Sequence, residues 1–271
     1  MIKRIIIAII ACPIIYFIIM AATPWPFYLF ITAVFSAGLI EIYCMFKVKK
    51  MGSFMYIGLG AAVITYLLTA YAGNPAYMFY VSAAMVMVLL SIILITKNVE
   101  RDMPKVLNTV FPFAYLTALG TFFILIRKLP QGNYWIFSLI MFTWIYDAGA
   151  YFTGVAFGRH KLIAELSPKK SVEGFIGGII VNIAAAVILR MLLFKEFFQL
   201  FPMAHLIILA VLLSFTGQAG DIAESVIKRY TGVKNSSNLL PEMGGVMDKI
   251  DSLLFNAPVI YFYIKFLILK H

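Results

Sequence analysis

Charge is scarce in this sequence. Of its 271 residues only 13% are Asp, Glu, Lys or Arg, and 63% are hydrophobic. A soluble domain is about 25% charged and about 45–50% apolar, so a water-soluble globular fold is excluded. Disorder needs an apolar-poor chain, and a collagen-like rod needs periodic glycine and proline; the composition fits neither. Cysteine is nearly absent. Cys12 and Cys44 both lie within apolar runs, which supports no disulfide framework and no thiolate zinc site. The three histidines, His160, His205 and His271, lack metal-ligand spacing. No repeat is visible, no linker is long enough to separate domains, and no nucleic-acid partner is expected.

Long apolar runs are what the chain has. A helical span needs about 20 mostly apolar residues. Runs broken by charge, proline and glycine predict nine spans, near 5–22, 26–46, 54–72, 76–96, 106–126, 134–157, 174–194, 203–220 and 252–269. The expected fold is therefore all-α, a polytopic helical bundle in the membrane. The eighth span can continue as helix past Asp221 to about Tyr230. The first has a basic start, but its apolar run is long and the Ala21-Ala22 region is a poor cleavage site, so it reads as a span rather than a removed leader. Residues 1–130 read as scaffold helices and 131–271 as a catalytic region within one integrated membrane domain.

Orientation follows from the basic residues. With the N-terminus in the cytoplasm, nine spans put 16 of the 22 Lys and Arg on the cytoplasmic side and 6 on the other. The positive-inside rule then favours N-in and C-out, and the net charge of +10 mostly reflects this bias. The basic loops before Lys105 are explained by orientation and contact with anionic lipid.

The acids are unevenly placed. Nine of the twelve, Asp147, Glu165, Glu173, Glu196, Asp221, Glu224, Glu242, Asp248 and Asp251, lie between residues 147 and 251, while the first 140 residues hold only Glu41, Glu100 and Asp102. An ionised carboxylate at membrane depth costs at least about 2.5–3.5 kcal/mol. Asp147, in Trp144-Ile-Tyr-Asp-Ala-Gly-Ala-Tyr151, must therefore be paired, protonated or facing water. It marks a polar cavity, or it packs helices beside Gly149 and Gly154. Glu41 is also intramembrane but has no polar neighbours in sequence, and it is given no role.

Two stretches carry candidate chemistry. In Ser167-Pro168-Lys169-Lys170-Ser171, Ser-Pro reads as a turn leading into a helix that Ser171 could cap. Free N–H groups at that helix start, beside Lys169 and Lys170, would cradle a phosphate; the plain alternative is a positive-inside loop. In the stretch 217–252, Asp221, Glu224, Ser225 and Lys228 fall at i, i+3, i+4 and i+7 and share one helix face. Asp248 and Asp251 are one turn apart. Carboxylates converging from two helices suit Mg2+, a hard ion that shares phosphate ligands, and Lys228, Arg229 and Lys234 supply positive charge for a polyphosphate. The plain alternative is a solvated loop with pairs such as Glu224–Lys228.

With these residues in place, the chain resembles the phosphatidate cytidylyltransferase (CDP-diacylglycerol synthase) family. The matching positions are Ser225, Lys228-Arg229, Lys234-Asn235, Met243-Gly244-Gly245 and Asp248-Lys249-Ile250-Asp251, at the spacing of the family's C-terminal signature. The Asp147-to-Tyr151 and Ser167-to-Ser171 blocks and the multi-span plan are also similar. Asn235, Glu242, Met243 and Lys249 depart from the usual Asp, Gly, His and Arg. The resemblance implies that CTP and phosphatidic acid give CDP-diacylglycerol and pyrophosphate, a step of phospholipid biosynthesis. It implies metal held by Asp221 and Asp248, with Glu224 and Asp251 as supporting or alternate ligands. Phosphates would meet Lys169, Lys170, Lys228, Arg229 and Lys234, Ser167 and Ser171 would shape the phosphate-binding turn, and Asp147 would line the cavity. It implies Mg2+, with a monovalent ion such as K+ as a candidate for the same site. A homodimer in the cell's inner (plasma) membrane, its active site facing the cytoplasm, completes the expectation. The rival readings are a CTP-dependent polyprenol kinase, a transporter coupling ions through intramembrane acids, and a weakly active relative motivated by Asn235 and Met243.

Overall fold

The computed structural model describes residues 2–192, 202–237, 239 and 244–269. Among them the fold is helical apart from one small hairpin. The helices are α1 (Ile2–Met20), α2 (Trp25–Val48), α3 (Met55–Ala72), α4 (Ala76–Thr96), α5 (Val99–Lys128), α6 (Gly132–Phe157), α7 (Val172–Leu192), α8 (Met203–Thr231) and α9 (Met247–Tyr263), which passes into a π-helical turn (Ile264–Ile268). Eight of these elements are long and apolar enough to cross a membrane, and α1 adds a shorter apolar stretch at Ile9–Met20. The protein is therefore an integral membrane protein of the polytopic all-α class. Residues 193 and 194 of the expected seventh span lie outside the described residues. The eighth span continues as helix through Thr231, past Asp221 as its sequence allows.

The chain forms two compact units. The first is Met1–Asn133 with Ile227–Ile250, and the second is Tyr134–Val226 with Asp251–His271. In the first unit α5 packs on α2 and α3, and α4 packs on α3 and α5. The buried aromatic rings of Phe35, Tyr66 and Phe123 meet at the centre, with Phe35 and Phe123 edge to face at 5.1 Å. Phenols buried this way need acceptors, and they take carbonyls of α5: Tyr43 donates to Thr109 O and Tyr66 to Leu116 O, each at 3.0 Å. Helix α4 shows the opposite extreme. Its buried residues are Met85, Leu89 and Ile93, a single stripe at i, i+4 and i+8. Phe79, Leu94 and Ile95 stand exposed, the expected arrangement where lipid is the solvent. At the start of α5 the Asn98 side chain accepts from Arg101 N at 3.1 Å and caps the helix. Buried Asp102 then takes Arg101, Lys105 and the hydroxyl of Thr96, which ties the end of α4 to the start of α5.

In the second unit short polar ties join the apolar helices. Asn182 of α7 donates to Ala210 O and Ser214 Oγ of α8, both at 3.0 Å. Asn256 of α9 donates to Thr143 of α6 at 2.8 Å and accepts from Thr216 of α8. Tyr146 of α6 donates to Gln218 of α8 at 3.0 Å. Between α6 and α7 lies an antiparallel hairpin of β1 (Lys161–Ile163) and β2 (Ser167–Ser171). This corrects the sequence reading of Ser167-Pro168: the segment is a strand, not a turn into a helix.

Candidate metal and phosphate sites

In the second unit the sequence Gly-Asp-Ile-Ala-Glu places Asp221 and Glu224 one turn apart on α8. The facing residues on α9 are Asp251 and Ser252. Gly220 makes this approach possible: a Cβ there would stand 2.5 Å from the Asp251 carbonyl oxygen and 3.1 Å from Ser252 Cα. With only hydrogen at that point, one ligand oxygen each from Asp221, Glu224 and Asp251 lies within 4.8 Å of the others. Glu224 is 1% exposed and Asp251 9%. At that separation two like charges repel by about 3 kcal/mol at an effective dielectric of about 20. Lys170, reaching from β2, forms an ion pair with Asp221 and offsets part of this repulsion. The donors are all hard carboxylate oxygens, two from one helix turn and one from a second helix. Such a set fits a hard divalent cation, which Mg2+ exemplifies, and does not suit a soft metal.

The hairpin that presents Lys170 is anchored at its base. Ser171 Oγ accepts from Gly174 N at 3.1 Å, so Ser171 caps α7 as its sequence position suggests. Glu173, in the first turn of α7, accepts from the Arg159 and His160 backbone N–H groups and pairs with His160 Nδ1 at 2.5 Å. Lys169 is exposed and Ser167 half-buried on the same strand, and Asp147 is exposed on α6.

The first unit holds a separate acid–base group. Lys228 Nζ, near the end of α8, bonds Asp248 Oδ1 at 2.7 Å. Asp248 Oδ2 accepts from Gly245 N at 2.8 Å and Ser236 N at 3.0 Å, and Ser236 Oγ, 2.9 Å away, shares its single proton between this oxygen and Glu41 Oε2. Gly244 has φ +88°, and a Cβ there would lie 2.5 Å from Asp248 Oδ2, so this turn requires glycine twice over. Asp248 is thus held by the loop before α9 and by Lys228, whereas the acid joining Asp221 and Glu224 is Asp251. Arg229 and Lys234 are exposed, and Ser225 is buried on α8. Glu242 and Met243 lie outside the described residues.

One residue without a sequence role stands out. Glu41, buried on α2, accepts from Ser236, Ser237, Val246 and Met247. An acid inside an apolar helix is itself a signal that partners exist, but these lie 195 to 206 residues away along the chain, beyond the reach of any local spacing.

The model of the cytidylyltransferase family matches residues 2–267. The chain belongs to this family. It is similar to phosphatidate cytidylyltransferase of Bacillus subtilis (strain 168), 33% identical over 265 residues that cover 96% of each chain. It is also similar to the enzymes of that name from Staphylococcus saprophyticus, 36% identical over 178 residues (65% of each chain), and Staphylococcus aureus (strain COL), 40% identical over 132 residues (48% of each chain). The cytidylyltransferase match spans both acid groups and Glu41. A family that moves a nucleotidyl group between phosphates must hold anions together and neutralise the leaving group. Carboxylates able to bind a cation, with lysines beside them, are suited to that work.

Proposed function

We propose that the protein transfers the cytidylyl group of CTP to phosphatidic acid, releasing pyrophosphate and forming CDP-diacylglycerol for phospholipid biosynthesis. The observation that carries this reading is the 33% identity to a phosphatidate cytidylyltransferase along 96% of both chains. In the reaction a phosphate oxygen of the lipid attacks the α-phosphorus of CTP, and the bond from that phosphorus to the β-phosphate bridge oxygen breaks. The attacking phosphate is already an anion, so no general base is required. These matches do not favour the polyprenol-kinase or transporter alternatives.

Asp221, Glu224 and Asp251 would hold Mg2+, which when bound neutralises phosphate charge; K+ as a second cation is supported only by the sequence resemblance. Lys170, seated on the capped and pinned hairpin, contacts Asp221 and would contact phosphate oxygens beside it. Lys228, oriented by Asp248, would bind the triphosphate with Arg229 and Lys234. In this reading Asp248 orients a lysine, a different role from the metal ligand that the resemblance implies. The polar loops would face the cytoplasm, where CTP is, in an N-in, C-out homodimer of the plasma membrane; the basic-residue asymmetry supports the orientation.

The test is to supply lipid-reconstituted protein with phosphatidic acid, Mg2+ and CTP labelled at either the α- or the γ-phosphate. The α-label is expected in lipid and the γ-label in pyrophosphate. Passage of the γ-label into lipid, with release of CDP, would instead identify a kinase.

A further inference from the structure

Glu41 is 5% exposed on α2, where a carboxylate without donors would be costly. It has four donors: Ser236 Oγ at 2.8 Å, Ser237 Oγ at 2.6 Å, Val246 N at 2.9 Å and Met247 N at 2.8 Å. The two hydroxyls belong to the loop after α8, and the two amides lie at the start of α9. One side chain therefore fastens both ends of the segment between those helices. Space for it is cut by Gly245, where a Cβ would strike Ser236 Oγ and the Glu41 carboxylate. The carboxylate also leads directly to Asp248. Ser236, bonded to Glu41, contacts Asp248 through both N and Oγ, and Met247, held by Glu41, is the residue before it. Asp248 in turn bonds Lys228.

We propose that Glu41 is a positioning residue for nucleotide binding: from α2 it fixes the loop and helix start that set Asp248, and through Asp248 the ammonium of Lys228, for the CTP triphosphate. The proposal rests on the cytidylyltransferase reading and adds to it a residue from the N-terminal helices. Glu41 does not touch the nucleotide. Its effect passes through the Ser236–Asp248–Lys228 chain of hydrogen bonds, so a loosened Glu41 weakens CTP capture and leaves lipid capture alone.

The experiment uses the full chain in lipid, with Glu41→Gln, Ser236→Ala and Ser237→Ala beside the wild type. Glutamine keeps the size, but its NH2 group faces donors where a carboxylate oxygen accepted. Loss of charge-assisted bonds of this kind is expected to raise KM for CTP about tenfold or more, with KM for phosphatidic acid within about twofold. Hydrogen exchange at the Val246 and Met247 amides should quicken in the same variant. Ser236→Ala should shift KM for CTP in the same direction, and more than Ser237→Ala, because only Ser236 also contacts Asp248; these two variants carry the test if Glu41→Gln does not fold. An unchanged KM for CTP in folded Glu41→Gln, or a lowered melting temperature with both KM values moved alike, overturns the proposal. Wild-type transfer from CTP stands apart from these outcomes: its absence removes the cytidylyltransferase reading and the proposal with it, whereas its presence beside an unmoved Glu41→Gln removes only the proposal.

Discussion

Two acids on α9 join different polar groups, a division that the sequence could not make. Asp248 and Asp251 are one turn apart, so periodicity puts both on one helix face and cannot say which meets Asp221. The Gly220 contact decides it: α8 closes on the backbone of Asp251 and Ser252, and Asp251 joins Asp221 and Glu224. Replacing a ligand carboxylate by its amide removes charge with little change of shape. Asp221→Asn, Glu224→Gln and Asp251→Asn are each expected to lower Mg2+-dependent transfer about 100-fold or more and to weaken Mn2+ binding followed by electron paramagnetic resonance. Asp248→Asn should lower activity through KM for CTP and retain bound Mn2+. Loss of Mn2+ in Asp248→Asn but not in Asp251→Asn would reverse the assignment. The candidate acids were legible because carboxylates are rare in so apolar a chain. Glu41 was equally visible as an oddity, yet its function was not, since its donors come from the far end of the sequence.

At the level of the element, helices announced themselves and the hairpin did not. A run of about 20 apolar residues has one stable form in lipid, so every expected span corresponds to a helix, with ends displaced by a few residues. The α8 extension was readable as well, because Asp221, Glu224 and Lys228 keep the helical period beyond the apolar run. Strand β2 is Ser-Pro-Lys-Lys-Ser, too polar to show alternation and too short to show propensity. Its order comes from outside the strand, through the Ser171 cap and the grip of Glu173 on residues 159 and 160. Glu173→Ala should therefore leave the melting temperature nearly unchanged, because the site is at the surface, but should speed backbone exchange across residues 159–171 and lower transfer several-fold by releasing Lys170. A protected hairpin in that variant would show that Glu173 is not its anchor. Gly220→Ala acts on the helix pair itself. Its methyl would press on Asp251 backbone that cannot swing aside, an overpacking cost of about 1–3 kcal/mol, visible as a lower melting temperature in detergent together with weaker Mn2+ binding.

Across the whole molecule, chemistry and topology constrain each other. CTP is cytoplasmic, so the proposed reaction needs its phosphate-binding residues on that side, and the nine-span reading of the sequence meets this need with the N-terminus inside. The 16-to-6 division of Lys and Arg points the same way, through a bias independent of the acids that define the site. Single cysteines test it in a background where Cys12 and Cys44 are replaced by Ala. Gln131, exposed between α5 and α6, should react with a membrane-impermeant maleimide in intact cells when changed to cysteine. Lys169→Cys and Lys234→Cys should react only after the membrane is opened, and a tag fused after His271 should be reachable from outside. If Lys169→Cys and Lys234→Cys were labelled from outside while Gln131→Cys was protected, the acids and lysines would face a compartment without nucleotide, and cytidylyl transfer could not be their work.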